Sequence, residues 1–283
     1  MIRLGAADGE LLLDPARGGR LGSLTVGGRE LLRPAPDDGD RSVSWGCFLM
    51  APWPGRVAGG RFDWQGQTVG LRRTREGHAL HGLVYDQPWR VERATVDTAV
   101  LACELGPAGW AQGGRVSQVV HLEAGGLELT ASVTAGDRAM PAALGWHPWF
   151  RRTDGEPRLP VDAAAVLETR GRIPTGRAVG VKGRTDLRSG PWLGDRRLDH
   201  AYVDPRSPVV ATWPDLEVRV EFGRSIRALV VFSPPGAVCL EPETAWPDAF
   251  HLLTAASGAR ILEPGQTLRA TMRLRWRVTG AAQ

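Results

Sequence analysis

The sequence predicts an all-β protein, a large antiparallel β-sandwich with few short helices. Three observations support this. Short segments alternate apolar and polar residues along most of the chain, and 36 glycines and 21 prolines are spread between them rather than gathered in a linker. No helical pattern runs longer than two turns. Because the composition shows no break, we expect residues 1–283 to form one domain, which is long for a sandwich but not exceptional.

The clearest strand covers residues 267–278, TLRATMRLRWRV. Its apolar residues, Leu268 to Val278 at every second position, face one way, and four arginines and a threonine face the other. Side chains alternate across a strand, so this period of two predicts a buried apolar face and arginines in water.

Other strand pairs follow in chain order, and most are joined by recognisable turns. Residues 61–71 predict a hairpin that turns at Gln65-Gly66, and residues 116–122 and 127–134 are joined by a glycine-rich turn at 124–126. Further strands are expected at 89–95, 98–105, 209–213, 216–222 and 227–232. One weak helix candidate covers 246–254, with Pro247 at a first helical position.

Charge and cysteine content narrow the function classes. The 35 basic and 31 acidic residues give a net charge of +4, but only Lys182 is a lysine, and the arginines are scattered among carboxylates. We therefore expect no nucleic-acid partner. The start lacks a signal-peptide pattern and no window is apolar enough to span a membrane, so no membrane association is expected. Three cysteines without a CxxC pair favour a reducing, cytoplasmic location.

Two histidines and one glutamate stand in contexts that suggest chemistry. His81 precedes a glycine in ALHGL, and His147 lies between tryptophans in LGWHPWF, where partial burial can tune its pKa. Glu241 ends the apolar run of AVCLEPET, where a carboxylate is costly unless it is paired or used. Glu243 competes with it, but Pro242 predicts that Glu243 lies in a loop. His121, on an alternating strand, is expected to be structural.

Motifs for other chemistries are missing from the sequence. It contains no HExxH, HxH or HxxxH pair, no Walker lysine motif and no GxSxG. GRVAGGRF has glycines without the strand-to-helix context of a dinucleotide site. We therefore expect no metal and no cofactor.

Five segments in this order resemble the aldose 1-epimerase, or galactose mutarotase, family: GRVAGGRF (55–62), LHGLVYDQPWRV (80–91), GWHPWF (145–150), LDHAYV (198–203) and CLEPETAWPDAF (239–250). The likeness covers about residues 10–278. It implies a large β-sandwich that holds a monosaccharide, and a cofactor-free isomerase reaction of carbohydrate metabolism that interconverts α and β anomers. From this we expect a monomer or weak homodimer with a sugar as its partner.

The resemblance also implies a role for individual residues. Glu241 corresponds to the base at the anomeric hydroxyl, His147 to the general acid at the ring oxygen, and His81 to the residue that positions the anomeric region. The base and the acid are expected on opposite sides of the sugar. Arg56 and Asp199 correspond to groups that hold sugar hydroxyls. Trp149 and Trp53 are candidates for packing on the sugar.

Some positions depart from the family pattern, which leaves the sugar preference open. Gly55 precedes Arg56 where asparagine is frequent, HGL replaces HGG, and Trp149 replaces a tyrosine. Two alternatives also remain. One is an epimerase of a hexose 6-phosphate, with Arg72, Arg73 and Arg75 as a phosphate clamp. The other is a sugar-binding module without activity.

Overall fold

The computed structural model describes residues 1–36, 43–152 and 155–278. In these ranges the chain forms 24 strands and three single-turn 3-10 helices at Pro15–Arg17, Ala58–Gly60 and Gly183–Thr185. The strands are β1 (Ile2–Ala6), β2 (Gly9–Asp14), β3 (Arg20–Val26), β4 (Arg29–Glu30), β5 (Cys47–Met50), β6 (Arg56–Val57), β7 (Arg61–Trp64), β8 (Gln67–Gly70), β9 (Ala79–Leu80), β10 (Arg90–Ala94), β11 (Thr98–Glu104), β12 (Arg115–Glu123), β13 (Gly126–Thr134), β14 (Met140–Ala142), β15 (Gly145–Arg151), β16 (Ala165–Arg170), β17 (Ile173–Gly180), β18 (Asp199–Val203), β19 (Val209–Thr212), β20 (Leu216–Phe222), β21 (Ala228–Phe232), β22 (Ala237–Glu243), β23 (Arg260–Leu262) and β24 (Thr267–Val278). None of the helices in these ranges is long and apolar enough to cross a bilayer.

Two large antiparallel sheets make up most of the molecule. The larger has eleven strands in the order β1-β2-β3-β5-β15-β22-β21-β18-β16-β17, with β4 paired to β3. The smaller has seven, in the order β10-β11-β12-β13-β24-β20-β19. Three two-stranded pairs, β6-β9, β7-β8 and β14-β23, lie outside them. The prediction of an all-β, large antiparallel sandwich is confirmed.

One apolar cluster draws side chains from both sheets. Leu11 and Leu240 of the larger sheet and Leu129 and Leu274 of the smaller sheet belong to it, and all four are fully buried. The central strands of the larger sheet are buried on both faces. On β22, Val238 and Leu240 enter this core, whereas Ala237 and Cys239, which alternate with them, belong to a separate cluster on the other face. Residues that alternate along these strands therefore supply a core on one face and a site on the other.

The strong sequence patterns correspond to strands of the structure. The hairpin at 61–71 forms as β7 and β8 around Gln65-Gly66, and β12 and β13 pair along nine residues each. On β24, Ala270, Met272, Leu274 and Trp276 are buried as predicted. Val278 is an exception with 48% exposure at the strand end.

Two local predictions are wrong. Residues 246–254 form turns with i to i+3 hydrogen bonds instead of a helix, because Asp248 adopts a positive φ of 63°. Glu243 is not in a loop, because β22 continues through Pro242. Pro242 stays paired with Leu229 of β21, while the ladder to β15 is interrupted between Cys239 and Glu243. Pro242 has no N–H to donate, but on the β15 side the ladder is already interrupted at this position, so the proline breaks no continuous row of hydrogen bonds.

Candidate active site

A cavity of about 270 Å³ lies on the face of the larger sheet that points away from the core. Side chains of β15, β18, β21 and β22 line it. It is lined by all six residues that the sequence predicts for the site, Arg56, His81, His147, Trp149, Asp199 and Glu241. These come from β6, the segment after β9, and three strands of the larger sheet. Distant stretches of chain thus meet in one place, which the motifs alone do not reveal.

His147 and Glu241 meet in the wall of this cavity. Nε2 of His147 lies 3.4 Å from Oε1 of Glu241, and the two residues are only 3% and 2% exposed. His147 lies on β15 and Glu241 on the neighbouring strand β22, so the sheet itself holds them side by side. An imidazole and a carboxyl at this distance can exchange a proton or act together on one ligand.

Aromatic rings fix the imidazole of His147. Trp149 stacks on it with centroids 5.2 Å apart and planes 6° apart, and Phe48 stacks at 4.9 Å with planes at 28°. His81 meets it edge-on at 5.0 Å and 87°. Trp149 is itself only 5% exposed, and its ring face packs on His147. Rings packed in this way hold the imidazole in one orientation at the cavity wall.

The backbone around His81 is set by its neighbour Gly82. His81 has a positive φ of 57°, and its N–H donates to the carbonyl oxygen of Gly55 at 2.8 Å. Gly82 also has a positive φ, and a Cβ there would lie 2.0 Å from the carbonyl oxygen of Ala51. Only glycine fits such an approach, which explains physically why a glycine follows this histidine.

Charged residues at the mouth of the cavity form a network around Glu76. Oε2 of Glu76 accepts from Nε of Arg56 at 3.1 Å, and its Oε1 accepts from Nη1 of Arg172 at 2.9 Å. Arg172 also lies 3.9 Å from Asp199, measured from Nε to Oδ2. Both arginines that line the cavity in the described part of the chain are therefore already paired with carboxylates.

Burial shifts the pKa of each central group towards its uncharged form. It lowers the pKa of His81 to about 3, with a smaller contribution from Arg56. It also lowers the pKa of His147 well below 6.5, with His81 and Arg20 adding to the effect. It raises the pKa of Glu241 well above 4.5, helped by the neighbouring carboxyl of Glu243. Burial therefore favours a neutral imidazole beside a protonated carboxyl in the resting pair.

A cysteine adjoins this pair. Potential ligand atoms of His147, Cys239 and Glu241 all lie within 4.8 Å of one another. However, burial raises the pKa of the Cys239 thiol well above its usual range, so the sulfur is not a ready thiolate ligand. The expectation that the site needs no metal stays a prediction.

Some predicted residues lie elsewhere, and others were missed. Arg72, Arg73 and Arg75 do not line the cavity, and Arg72 pairs with Asp86 at 2.8 Å. Trp53 packs in the core against Trp110 and Phe250. Glu76, Arg172 and Phe232 also line the cavity but were not predicted from the sequence. The positions of the first two depend on how separate turns approach each other, and no local pattern indicates this.

The structure resembles solved mutarotase-like proteins along nearly its whole length. A galactose mutarotase-like protein from Clostridium acetobutylicum has a TM-score of 0.86 at 18% identity, covering 98% of this chain and 94% of that one. A GalM/aldose epimerase homologue from C. elegans also has a TM-score of 0.86 at 17% identity, with 99% of each chain covered. At these identities the likeness concerns the fold.

Curated relatives and a family profile add sequence evidence. The uncharacterised Escherichia coli K12 protein YphB is 37% identical over 123 residues, which are 42% of this chain and 41% of YphB. The uncharacterised YihR of the same organism is 32% identical over 138 residues, covering 47% and 44%. These matches span less than half the length of either relative. The aldose 1-epimerase profile, however, matches residues 2–275, and the chain therefore belongs to the aldose 1-epimerase family.

Proposed function

We propose that this protein is an aldose 1-epimerase that interconverts the α and β anomers of a free aldose, with Glu241 and His147 as its acid–base pair. The main support is the 3.4 Å approach of their side chains in the wall of a cavity that is large enough for a monosaccharide. Membership of a carbohydrate epimerase family makes a sugar the expected substrate.

The reaction needs two proton transfers at one edge of the sugar. The hydroxyl on C1 loses its proton, the bond from C1 to the ring oxygen breaks, and the ring oxygen gains a proton. Both oxygens are bonded to C1, so two neighbouring groups on one side of the ring can reach them. Rotation about the bond from C1 to C2, followed by the reverse transfers, closes the ring to the other anomer.

The pair holds one proton in either of two arrangements. In the resting arrangement Glu241 carries it and His147 is neutral, since burial disfavours charge on both groups. Transfer between them gives the carboxylate and imidazolium without any change in the total number of protons. In this charged arrangement Glu241 takes the proton from the C1 hydroxyl and His147 donates one to the ring oxygen. Each transfer contributes about 10²–10⁴-fold to the rate.

The remaining residues orient the sugar. Arg56 and Asp199 are proposed to hold hydroxyls at the cavity mouth, and His81 supports the anomeric end through its edge-on contact with His147. Trp149 is proposed to contribute its ring edge to the cavity while its face supports His147. Holding the substrate in place lowers the entropic part of the barrier.

The charge of the cavity favours an unphosphorylated sugar over a hexose 6-phosphate. Among the described residues that line the cavity, the two arginines, Arg56 and Arg172, are already paired with Glu76, and Asp199 adds a further carboxylate beside Arg172. A phosphate would have to displace these pairs and approach the carboxylates of Glu76 and Asp199, which costs energy.

Mutarotation of freshly dissolved α-aldoses, followed by polarimetry, tests the proposal. The wild-type protein should speed the change in optical rotation of at least one free hexose or pentose. It should act at least tenfold less efficiently on the matching 6-phosphate. EDTA should leave the rate unchanged, because the cycle uses only proton transfers. Sugar binding without any acceleration would contradict the proposal and support a non-catalytic module.

A further inference from the structure

Glu243 is a second buried carboxyl in the cavity wall, and the acid–base cycle does not use it. It lies two residues after Glu241 on β22, so both side chains leave the same face of the strand and line the same cavity. Glu243 is fully buried, and neither of its side-chain oxygens has a hydrogen-bond partner among the described residues. An unpaired buried carboxyl costs stability, so it calls for a ligand.

The fold leaves room for this side chain. Across the ladder, Glu243 pairs with Gly145 of β15 and with Ala228 of β21. A Cβ at position 145 would lie 3.1 Å from Cγ of Glu243 and 2.9 Å from Cε of Met50. Gly145 does not adopt a positive φ, so its backbone conformation does not require glycine. A larger residue there would instead fill the space beside the Glu243 side chain.

The charges around Glu243 favour its neutral form. Burial raises its pKa well above 4.5, and the nearby carboxylate of Asp199 raises it further. The arginines of the cavity are held by Glu76 instead. A neutral carboxylic acid offers one hydrogen-bond donor and an acceptor, which matches a hydroxyl group.

We propose that Glu243 is a specificity-determining residue whose carboxyl hydrogen-bonds a ring hydroxyl of the sugar other than the anomeric one. This inference rests on the proposed function. The Cα atoms of residues two apart on a strand lie about 7 Å apart, so Glu241 and Glu243 reach the cavity from different points along one wall, and a sugar with C1 at Glu241 presents another hydroxyl to Glu243. The site therefore takes neutral aldoses that carry this hydroxyl and discriminates against the analogue without it.

Two variants measured on a panel of monodeoxy aldoses test the proposal. Glu243→Leu removes the hydrogen-bonding group, whereas Glu243→Gln keeps a neutral donor and acceptor of similar shape. Wild-type kcat/KM should fall at least tenfold for one deoxy sugar. Glu243→Leu should lose about tenfold to a hundredfold on the parent sugar and little further on that deoxy sugar. Glu243→Gln should recover most of the loss.

A matched control is Glu263→Leu, at an exposed glutamate that does not line the cavity. It should leave the sugar profile as in the wild type. The proposal is wrong if the wild type treats every monodeoxy sugar like its parent, a result that does not require any variant to fold. It is also wrong if Glu243→Gln is as impaired as Glu243→Leu, which would point to a charged carboxylate. If the wild type accelerates no aldose at all, the proposed function fails instead.

Discussion

Replacing His81 by asparagine should make folding less sensitive to acid. Burial lowers the pKa of His81 from 6.5 to about 3, so the unfolded chain takes up a proton on this ring well before the folded protein does. The stability that depends on the neutral ring is therefore present above pH 6.5 and is lost as the pH falls towards 3. Between about pH 7.5 and pH 5 the loss amounts to about 2 kcal/mol, since each pKa unit corresponds to ~1.4 kcal/mol.

Asparagine is chosen for this substitution because it preserves the backbone conformation at position 81. Asparagine is among the residues that best tolerate a positive φ, and position 81 has a φ of 57°. At about pH 7.5 the variant should be destabilised by about 1–2 kcal/mol, because it loses the edge-on contact with His147. At about pH 5 this penalty should shrink by about 2 kcal/mol, to near zero or below, because asparagine does not titrate.

Urea denaturation at the two pH values measures the effect as a difference between variant and wild type. The other buried groups titrate in both proteins, so most of their contributions cancel. His121→Asn is a suitable control because His121 lies on β12 of the smaller sheet, outside the cavity. A penalty for His81→Asn that is the same at both pH values, within about 0.5 kcal/mol, would refute the argument from burial.

Three further predictions concern the site and its frame. The kcat/KM for mutarotation should form a plateau between the lowered pKa of His147 and the raised pKa of Glu241, and should fall at pH values below the first and above the second. A pH–rate profile whose acid limb lies above pH 6.5 would contradict this. Asp199→Asn should raise KM severalfold with a smaller change in kcat, because Asp199 is proposed to hold substrate rather than move protons, and steady-state polarimetry would contradict this if kcat alone fell. Gly82→Ala should cost more than about 3 kcal/mol in urea denaturation, because its Cβ would lie 2.0 Å from the Ala51 oxygen at a positive φ, and a cost below about 1 kcal/mol would count against the observed backbone.

The strands that were predicted best from the sequence are those with one solvent-exposed face. On β24 and on the β7–β8 hairpin, polar and apolar residues alternate or a turn signal is clear, so local pattern suffices. The central strands β15 and β22 are buried on both faces and show no alternation. Pro242 suggested that β22 ends at Glu241, but a break in one neighbouring ladder lets the strand continue. That break depends on the partner strand and cannot be deduced from the sequence of β22.

Site residues could be predicted from the sequence where they lie in recognisable motifs, but not where only the topology brings them together. His81, His147 and Glu241 stand in short segments with family likeness, and all three line one cavity. Glu76 and Arg172 are 96 positions apart and meet only because a loop and the β16–β17 turn approach each other. The proposed acid and base were predicted on opposite sides of the sugar. The 3.4 Å separation puts the two side chains side by side instead, which suits the proposed reaction because both reacting oxygens are bonded to C1.

The proposed acid–base pair is tested most directly by the mutarotation rate of Glu241→Gln and His147→Asn, measured by polarimetry on an aldose that the wild type accelerates. Each variant should lose about 10²–10⁴-fold in kcat while sugar binding, followed by calorimetry, stays within about tenfold. Glu263→Gln, an exposed glutamate outside the cavity, is the control. A variant that binds the sugar and keeps a near wild-type rate would contradict the claim that these two neighbouring groups carry the proton transfers.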